Sequence, residues 1–182
     1  RAFLTPAREL LFGGATEGGK SFFLRNALSL WCGLIPGLSC VLIRKKYDDI
    51  IKNHVEGPSG FRVILSPLVD RGRVKITDSG VTFFHRVKNE QGQWVDKNSV
   101  ITFKHCQDER QFDSAQGIEV HVLAVDEATQ ISERLIRFFR TWVRMSVEMK
   151  AALPDEWKGK FPRIIYTANP IGASVSFFKR HF

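Results

Sequence analysis

The chain has 182 residues, with 14 Gly, 7 Pro, 43% hydrophobic and 25% charged residues. That composition excludes a disordered, collagenous or coiled-coil chain, and the length suffices for a core without disulfide staples. Lys and Arg number 27 against 19 Asp and Glu, a net charge of +8 that favours polyanionic partners, nucleic acid above all.

Along the chain, strand-like and helix-like runs alternate. Residues 9–13 read as a short apolar strand ending in glycines. Residues 21–34 read as a helix, with Leu24, Ala27, Leu28, Trp31 and Leu34 at i, i+3, i+4 spacing. No charge occurs from 26 to 43, but Gly33, Pro36, Gly37 and Ser39 interrupt that run. It therefore reads as a helix end, a turn and a buried strand over 39–44, not as a membrane span. Helices are expected over 47–53 and 60–69, and strands over 74–76, 81–85 and 100–104. The last three look like an antiparallel insertion, with residues 88–98 as a polar separator. The alternation resumes with a strand over 120–125, a helix over 133–149 and a strand over 163–168. Alternating elements of this kind predict an α/β sandwich with a mainly parallel sheet.

Three sites carry chemistry. Gly14-Ala15-Thr16-Glu17-Gly18-Gly19-Lys20-Ser21 matches G-x-x-x-x-G-K-[ST], between a strand and an amphipathic helix. In such a P-loop the glycines let backbone amides wrap phosphates. Lys20 adds a charge at the β and γ phosphates, and the Ser21 hydroxyl binds Mg²⁺. Val122-Leu123-Ala124-Val125-Asp126-Glu127 is an apolar strand delivering two carboxylates to the sheet edge where ligands of open α/β sheets bind. Asp126 is expected to hold Mg²⁺ through water, and Glu127 to polarise the water that attacks the γ-phosphate. Thr167-Ala168-Asn169-Pro170 ends a strand at the same edge, where the Asn169 amide can reach a phosphate oxygen or the attacking water.

These motifs, in this order, resemble the ATPase domain of a tailed-bacteriophage or herpesvirus-type terminase large subunit. The resemblance spans nearly the whole chain. It rests on Phe12-Gly13-Gly14-Ala15 with Gly18-Gly19-Lys20-Ser21, and on the basic segment Val41-Leu42-Ile43-Arg44-Lys45-Lys46-Tyr47. It rests also on the run from Gln116 to Val122 into Asp126-Glu127-Ala128-Thr129-Gln130, and on Thr167-Ala168-Asn169-Pro170 with the closing Phe178-Lys179-Arg180-His181-Phe182. The resemblance implies a P-loop NTPase, a three-layer αβα sandwich of the additional-strand, catalytic-glutamate class, using ATP and Mg²⁺. It implies a motor on double-stranded DNA, assembled as a ring, usually of five, on a portal protein with a small terminase subunit, in the cytoplasm of an infected host. Family members also carry a C-terminal nuclease; residues 1–182 resemble only the motor half.

The chain departs from the family at Thr16 and Gln116, where many terminases carry arginines. Arg44 and Arg110 are then the candidates for an arginine finger. A small-molecule P-loop kinase and a nucleotide-gated DNA-binding or assembly module are the rival readings. Asp126, Glu127 and Asn169 together favour water as the acceptor.

Two further patterns come from spacing. Ile131, Leu135, Phe138, Trp142, Met145 and Met149 form one apolar stripe on the helix expected at 133–149. Arg134, Arg137, Arg140 and Arg144 fall on roughly the opposite face, as a solvated surface or a contact for DNA or a neighbouring subunit. Arg8 and Thr5, just before the first strand, are placed where they could approach a base. Cys32, Cys40 and Cys106 form no even set and no C-x-x-C spacing, so a disulfide framework and a structural zinc site are not expected. His85, His105 and Cys106 read as structural sheet neighbours.

Overall fold

The structure, a computed structural model, describes residues 5–14, 19–106 and 119–182. Its strands are β1 (Glu9–Gly13), β2 (Ser39–Arg44), β3 (Val74–Thr77), β4 (Gly80–Phe83), β5 (Arg86–Lys88), β6 (Trp94–Asp96), β7 (Ser99–His105), β8 (Val122–Val125) and β9 (Arg163–Ala168). Its α-helices are α1 (Lys20–Leu34), α2 (Tyr47–Ile50), α3 (Phe61–Ile64), α4 (Ser66–Asp70), α5 (Glu133–Arg140), α6 (Val147–Ala151) and α7 (Val175–His181). Seven strands form one sheet in the order β1-β9-β8-β2-β7-β4-β3. The first five are mutually parallel, and β4 and β3 add an antiparallel edge.

Both faces of this sheet are covered, and the sequence shows why. In β2, Cys40 and Leu42 point into the cluster under α1, while Val41 and Ile43 point into the cluster under α5 and α7. In β8, Val122 and Ala124 join the first cluster, and Leu123 and Val125 the second. A strand buried on both faces is apolar through its middle, so residues 40–43 of β2 and all of β8 are continuous apolar runs with no alternation. Leu24, Ala27, Leu28 and Trp31 of α1 are fully buried on the first face, as their helical spacing predicts. Each such large side chain contributes about 1.5–3 kcal/mol of apolar burial. No helix among the described residues is long and apolar enough to cross a membrane.

Several expectations need correction. Residues 100–104 are not simply part of an antiparallel insertion: β7 pairs in parallel with β2 along its length and only then accepts β4 antiparallel. The stretch 88–98 is not merely a separator, since β5 and β6 form a hairpin of their own there. The helix expected over 60–69 is interrupted, with Pro67 in the first turn of α4. Prolines suit a first turn because its amides have no helical partner.

The helix expected over 133–149 stops at Arg140 and restarts at Val147. Between them, Val143 forms a parallel bridge with Val120, and the Val120 amide and carbonyl bond to Trp142 and Arg144. Strand-like pairing by a β-branched residue wins over helical periodicity there. Ser146 then caps α6, accepting from the Met149 amide at 3.2 Å. The six-residue stripe is therefore split between layers: Leu135 and Trp142 lie in one core cluster, Met145 and Met149 in the other. The four arginines do not share one helix face either, because Arg144 lies beyond α5.

Candidate active site

Gly19 stands at the N-cap of α1 with φ 70°, and a Cβ there would meet nothing within 4 Å. Glycine is required at that position for its backbone angle, not for space. The first turn of α1 contains no acidic residue and its cap makes no side-chain hydrogen bond. Nothing acidic in that turn opposes the helix dipole, which favours an anionic guest there. Lys20 folds back so that Nζ donates to the Gly14 carbonyl at 3.1 Å. Residues 15–18, including Ala15, Thr16, Glu17 and Gly18 of the motif, lie outside the described residues.

One strand, β9, lies between β1 and β8. That additional strand places Thr167 between Phe12 and the carboxylates that follow β8. Asp126 is 1% exposed and is crowded with donors. Thr167 Oγ1 donates to Oδ1 at 2.5 Å, and Ser21 Oγ lies 3.2 and 3.3 Å from the two oxygens. His54 Nε2 lies 2.8 Å from Oδ2, and Arg44 Nη1 3.2 Å from the same oxygen. Burial by itself would push this carboxyl up. The hydrogen bond and charge of His54, the Thr167 hydroxyl and the Arg44 guanidinium outweigh it and hold Asp126 well below the usual carboxylate range.

Glu127 adopts a left-handed backbone, φ 51° and ψ 44°. Non-glycine residues there are uncommon and costly, and they concentrate at functional sites. Its amide donates to Thr167 Oγ1 at 3.0 Å, so one hydroxyl fixes both Asp126 and Glu127. Arg44 Nη2 holds Glu127 Oε1 at 2.8 Å, and Gln130 Nε2 donates to Oε2 at 2.9 Å. Asn169 follows β9 at the same edge, and its Oδ1 is buried without a hydrogen-bond partner. Its backbone carbonyl accepts from Thr129 Oγ1 at 3.1 Å.

The structure therefore brings Lys20, Ser21, Asp126, Glu127 and Asn169 to one end of the sheet, with Arg44 among them. A helix N-terminus, a lysine, a hydroxyl beside a carboxylate and an orphaned amide oxygen form a donor and ligand set that fits a phosphate chain with a divalent cation. Arg110 lies outside the described residues. Arg44 is 8% exposed and engaged with its own chain's two carboxylates.

The other candidate residues lie elsewhere. Arg137 pairs with Glu133 at 2.8 Å and covers the Phe177 ring, and Arg140 pairs with Glu9 at 2.5 Å. Arg134 and Arg144 are exposed. Arg8 and Thr5 cannot approach a base at this edge, because they precede β1, at its far end from Gly13. There Arg8 donates to the Val143 carbonyl, and the Thr5 carbonyl accepts from Arg163 at the start of β9. His85 bonds the Cys32 carbonyl at 2.7 Å, His105 packs on Tyr47, and Cys106 is buried, which pushes its thiol up to about 12.

Sequence reasoning missed His54, the double role of the Thr167 hydroxyl and the Gln130 contact. A lone histidine in a helical run carries no signal. Thr167 and Gln130 stood inside recognised motifs; the register of β8 against β9 sets Thr167 beside Asp126, and the turn after β8 sets Gln130 against Glu127.

No family model matches the sequence, and no curated protein matches it. Solved structures do. The large terminase from a thermophilic bacteriophage superposes with a TM-score of 0.62 at 17% identity, over 96% of this chain and 37% of that one. The large terminase ATPase domain of Thermus phage P74-26 gives 0.51 at 15% identity, over 96% of this chain and 78% of that one. The N-terminal domain of the DNA packaging ATPase from bacteriophage phi29 gives 0.51 at 11% identity, over 96% and 80%. The chain spans well under half of the first of these proteins. At these identities the likeness is one of architecture, and in architecture the chain matches the ATPase domains of phage large terminases.

Proposed function

We propose that this chain is an ATP-hydrolysing motor domain that drives double-stranded DNA into a viral procapsid, with ATP and Mg²⁺ as its nucleotide and metal. The observation that carries the reading is the contact of Ser21, next to Lys20 at the start of α1, with Asp126 at the end of β8, in a fold shared with packaging ATPases. Lys20 and the amides of Gly18 and Gly19 would hold phosphate, Ser21 and Asp126 the metal. When bound, the metal would neutralise charge developing on the phosphates. Glu127 would orient the attacking water, and Asn169 would sense the γ-phosphate. With Arg44 and Gln130 on its two oxygens, Glu127 is held away from that task, so those contacts must open before it can accept a proton from water.

Partners follow from the same reading: duplex DNA, a portal protein, a small terminase subunit and further copies of this chain in a ring. The basic balance supports weak, sequence-independent DNA binding, with log affinity falling linearly with log salt. The Arg134, Arg137, Arg140 and Arg144 set remains a candidate surface, with Arg137 and Arg140 already drawn into contacts within the chain. Steady-state phosphate release, measured with and without duplex DNA and against a panel of hydroxyl acceptors, tests the whole. Release to water that rises with DNA is expected. Transfer to a small-molecule hydroxyl would make the chain a kinase, and tight nucleotide binding without turnover would make it a gated binding module.

A further inference from the structure

The wall of the site opposite Thr167 is built by a segment with no recognised motif. After α2 the chain widens into a π-helical turn, Ile51–Val55, closed by the Glu56 amide on the Ile51 carbonyl at 2.9 Å. Such turns recur at functional sites because they rotate a side chain off the regular helical face. Here the wider turn brings His54 and Val55 to the buried side together with Ile50.

His54 is fully buried, and its Nε2 lies 2.8 Å from Asp126 Oδ2. A carboxylate only accepts, so Nε2 carries the proton and donates. The other ring nitrogen, Nδ1, is buried without a partner. A buried polar atom left unpaired costs free energy, so the imidazole is held here for the one bond it makes.

The same turn grips the helix that carries Lys20 and Ser21. Arg25 of α1 is buried and donates to the Asn53 carbonyl at 3.1 Å and to Ser59 Oγ at 2.7 Å. Residues 53–59 therefore tie α1 on one side and Asp126 on the other. Of the four donors around Asp126, Thr167 and His54 are almost wholly buried. Ser21 and Arg44 are the exchangeable ones: Ser21 sits at the helix end, and Arg44 has Glu127 as a second partner.

We propose that His54 is a positioning residue for the Mg²⁺ site: its Nε2–H fixes the Asp126 carboxylate, and its π-turn fixes the distance from that carboxylate to Ser21. This rests on the reading of Asp126 and Ser21 as the metal-binding pair. Hydrogen-bonded partners of metal-ligating groups are worth about 10–100-fold in metal affinity.

The test is ADP binding to the full chain across a Mg²⁺ series, compared with binding in excess chelator. In His54→Leu the Mg²⁺ midpoint should rise about 10-fold or more, with chelator-bound affinity unchanged. His54→Gln, which keeps an N–H donor, should recover most of that shift. In an Asp126→Asn background, His54→Leu should move the midpoint no further. A folded His54→Leu protein with a wild-type midpoint overturns the proposal. So does a shift that persists in the Asp126→Asn background. In the unsubstituted protein, ¹⁵N spectra of the imidazoles give a check that needs no variant. His54 should keep its Nε2-protonated form when Mg²⁺ and ADP are added, and loss of that signature overturns the role. Wild-type protein showing no Mg²⁺-dependent ADP binding would instead overturn the reading of the site itself.

Discussion

Two arginine–aspartate pairs of similar length occur in very different surroundings. Arg44 meets Asp126 at 3.2 Å with side chains 10% and 1% exposed, at the C-terminal edge of the parallel strands. Arg86 meets Asp96 at 3.5 Å with side chains 70% and 73% exposed, across the β5–β6 hairpin. That hairpin leaves from the other end of the sheet, where Phe83 pairs with Ser99. In water the exposed pair gains little, since solvent screens it and side-chain entropy opposes it. At the buried edge each charge depends on the others, because no water replaces a lost partner. The difference separates an end of the molecule where charges are organised from an end where they are merely present.

The sharpest way to test that separation is activity. Lys20→Ala should abolish tight nucleotide binding. Glu127→Gln should leave binding largely intact and slow hydrolysis by about 10²–10⁴-fold, the range for a proton-accepting group. Equilibrium binding and single-turnover hydrolysis on both variants decide it, and near-normal hydrolysis by Glu127→Gln removes that residue from the chemistry.

Next in size is Arg44→Ala, which leaves two carboxylates short of a cation. A loss of about 3 kcal/mol is expected in urea unfolding, the scale for breaking a buried pair. A loss below about 1 kcal/mol would place Arg44 with the exposed pair. Gly172→Ala comes third: Gly172 has φ 144°, and an added Cβ would fall 2.2 Å from the Thr129 carbonyl oxygen. Strain there should cost about 1–3 kcal/mol in thermal unfolding, and should disturb the carbonyls of Asn169 and Ile171 that Thr129 Oγ1 holds. The smallest effect belongs to the hairpin. Arg86→Ala should change stability by no more than about 0.5 kcal/mol. A larger loss would mean that the hairpin pair is more than a surface contact.

The same contrast explains what could be read from the sequence. β2 and β9 were legible as apolar runs with a charge only at one end, Arg44 and Arg163, because a strand covered on both faces leaves little room for a charge in its middle. Lys20, Ser21, Asp126 and Glu127 were legible because each sits at a fixed place in a short contiguous motif. His54 was not, since its partner is 72 residues away and only the π-turn aims it. Nor was the break after α5, where periodicity runs on through Trp142 to Met149 while Val143 pairs with Val120. A periodic pattern records which residues are buried, not into which layer. The hairpin was hidden for the opposite reason: its strands are three residues each and almost wholly exposed, so they bury too little to mark the sequence.

The exposed indole on that hairpin makes the molecule optically divisible. Of the four tryptophans, Trp31, Trp142 and Trp157 are at most 4% exposed, while Trp94 is 59% exposed with the Lys88 ammonium 5.4 Å from its ring. Iodide in solution should quench Trp94 and leave the blue-shifted emission of the other three nearly untouched. Emission at the red edge then reports on the hairpin alone, and emission at the blue edge on the two packed layers, within one unlabelled protein.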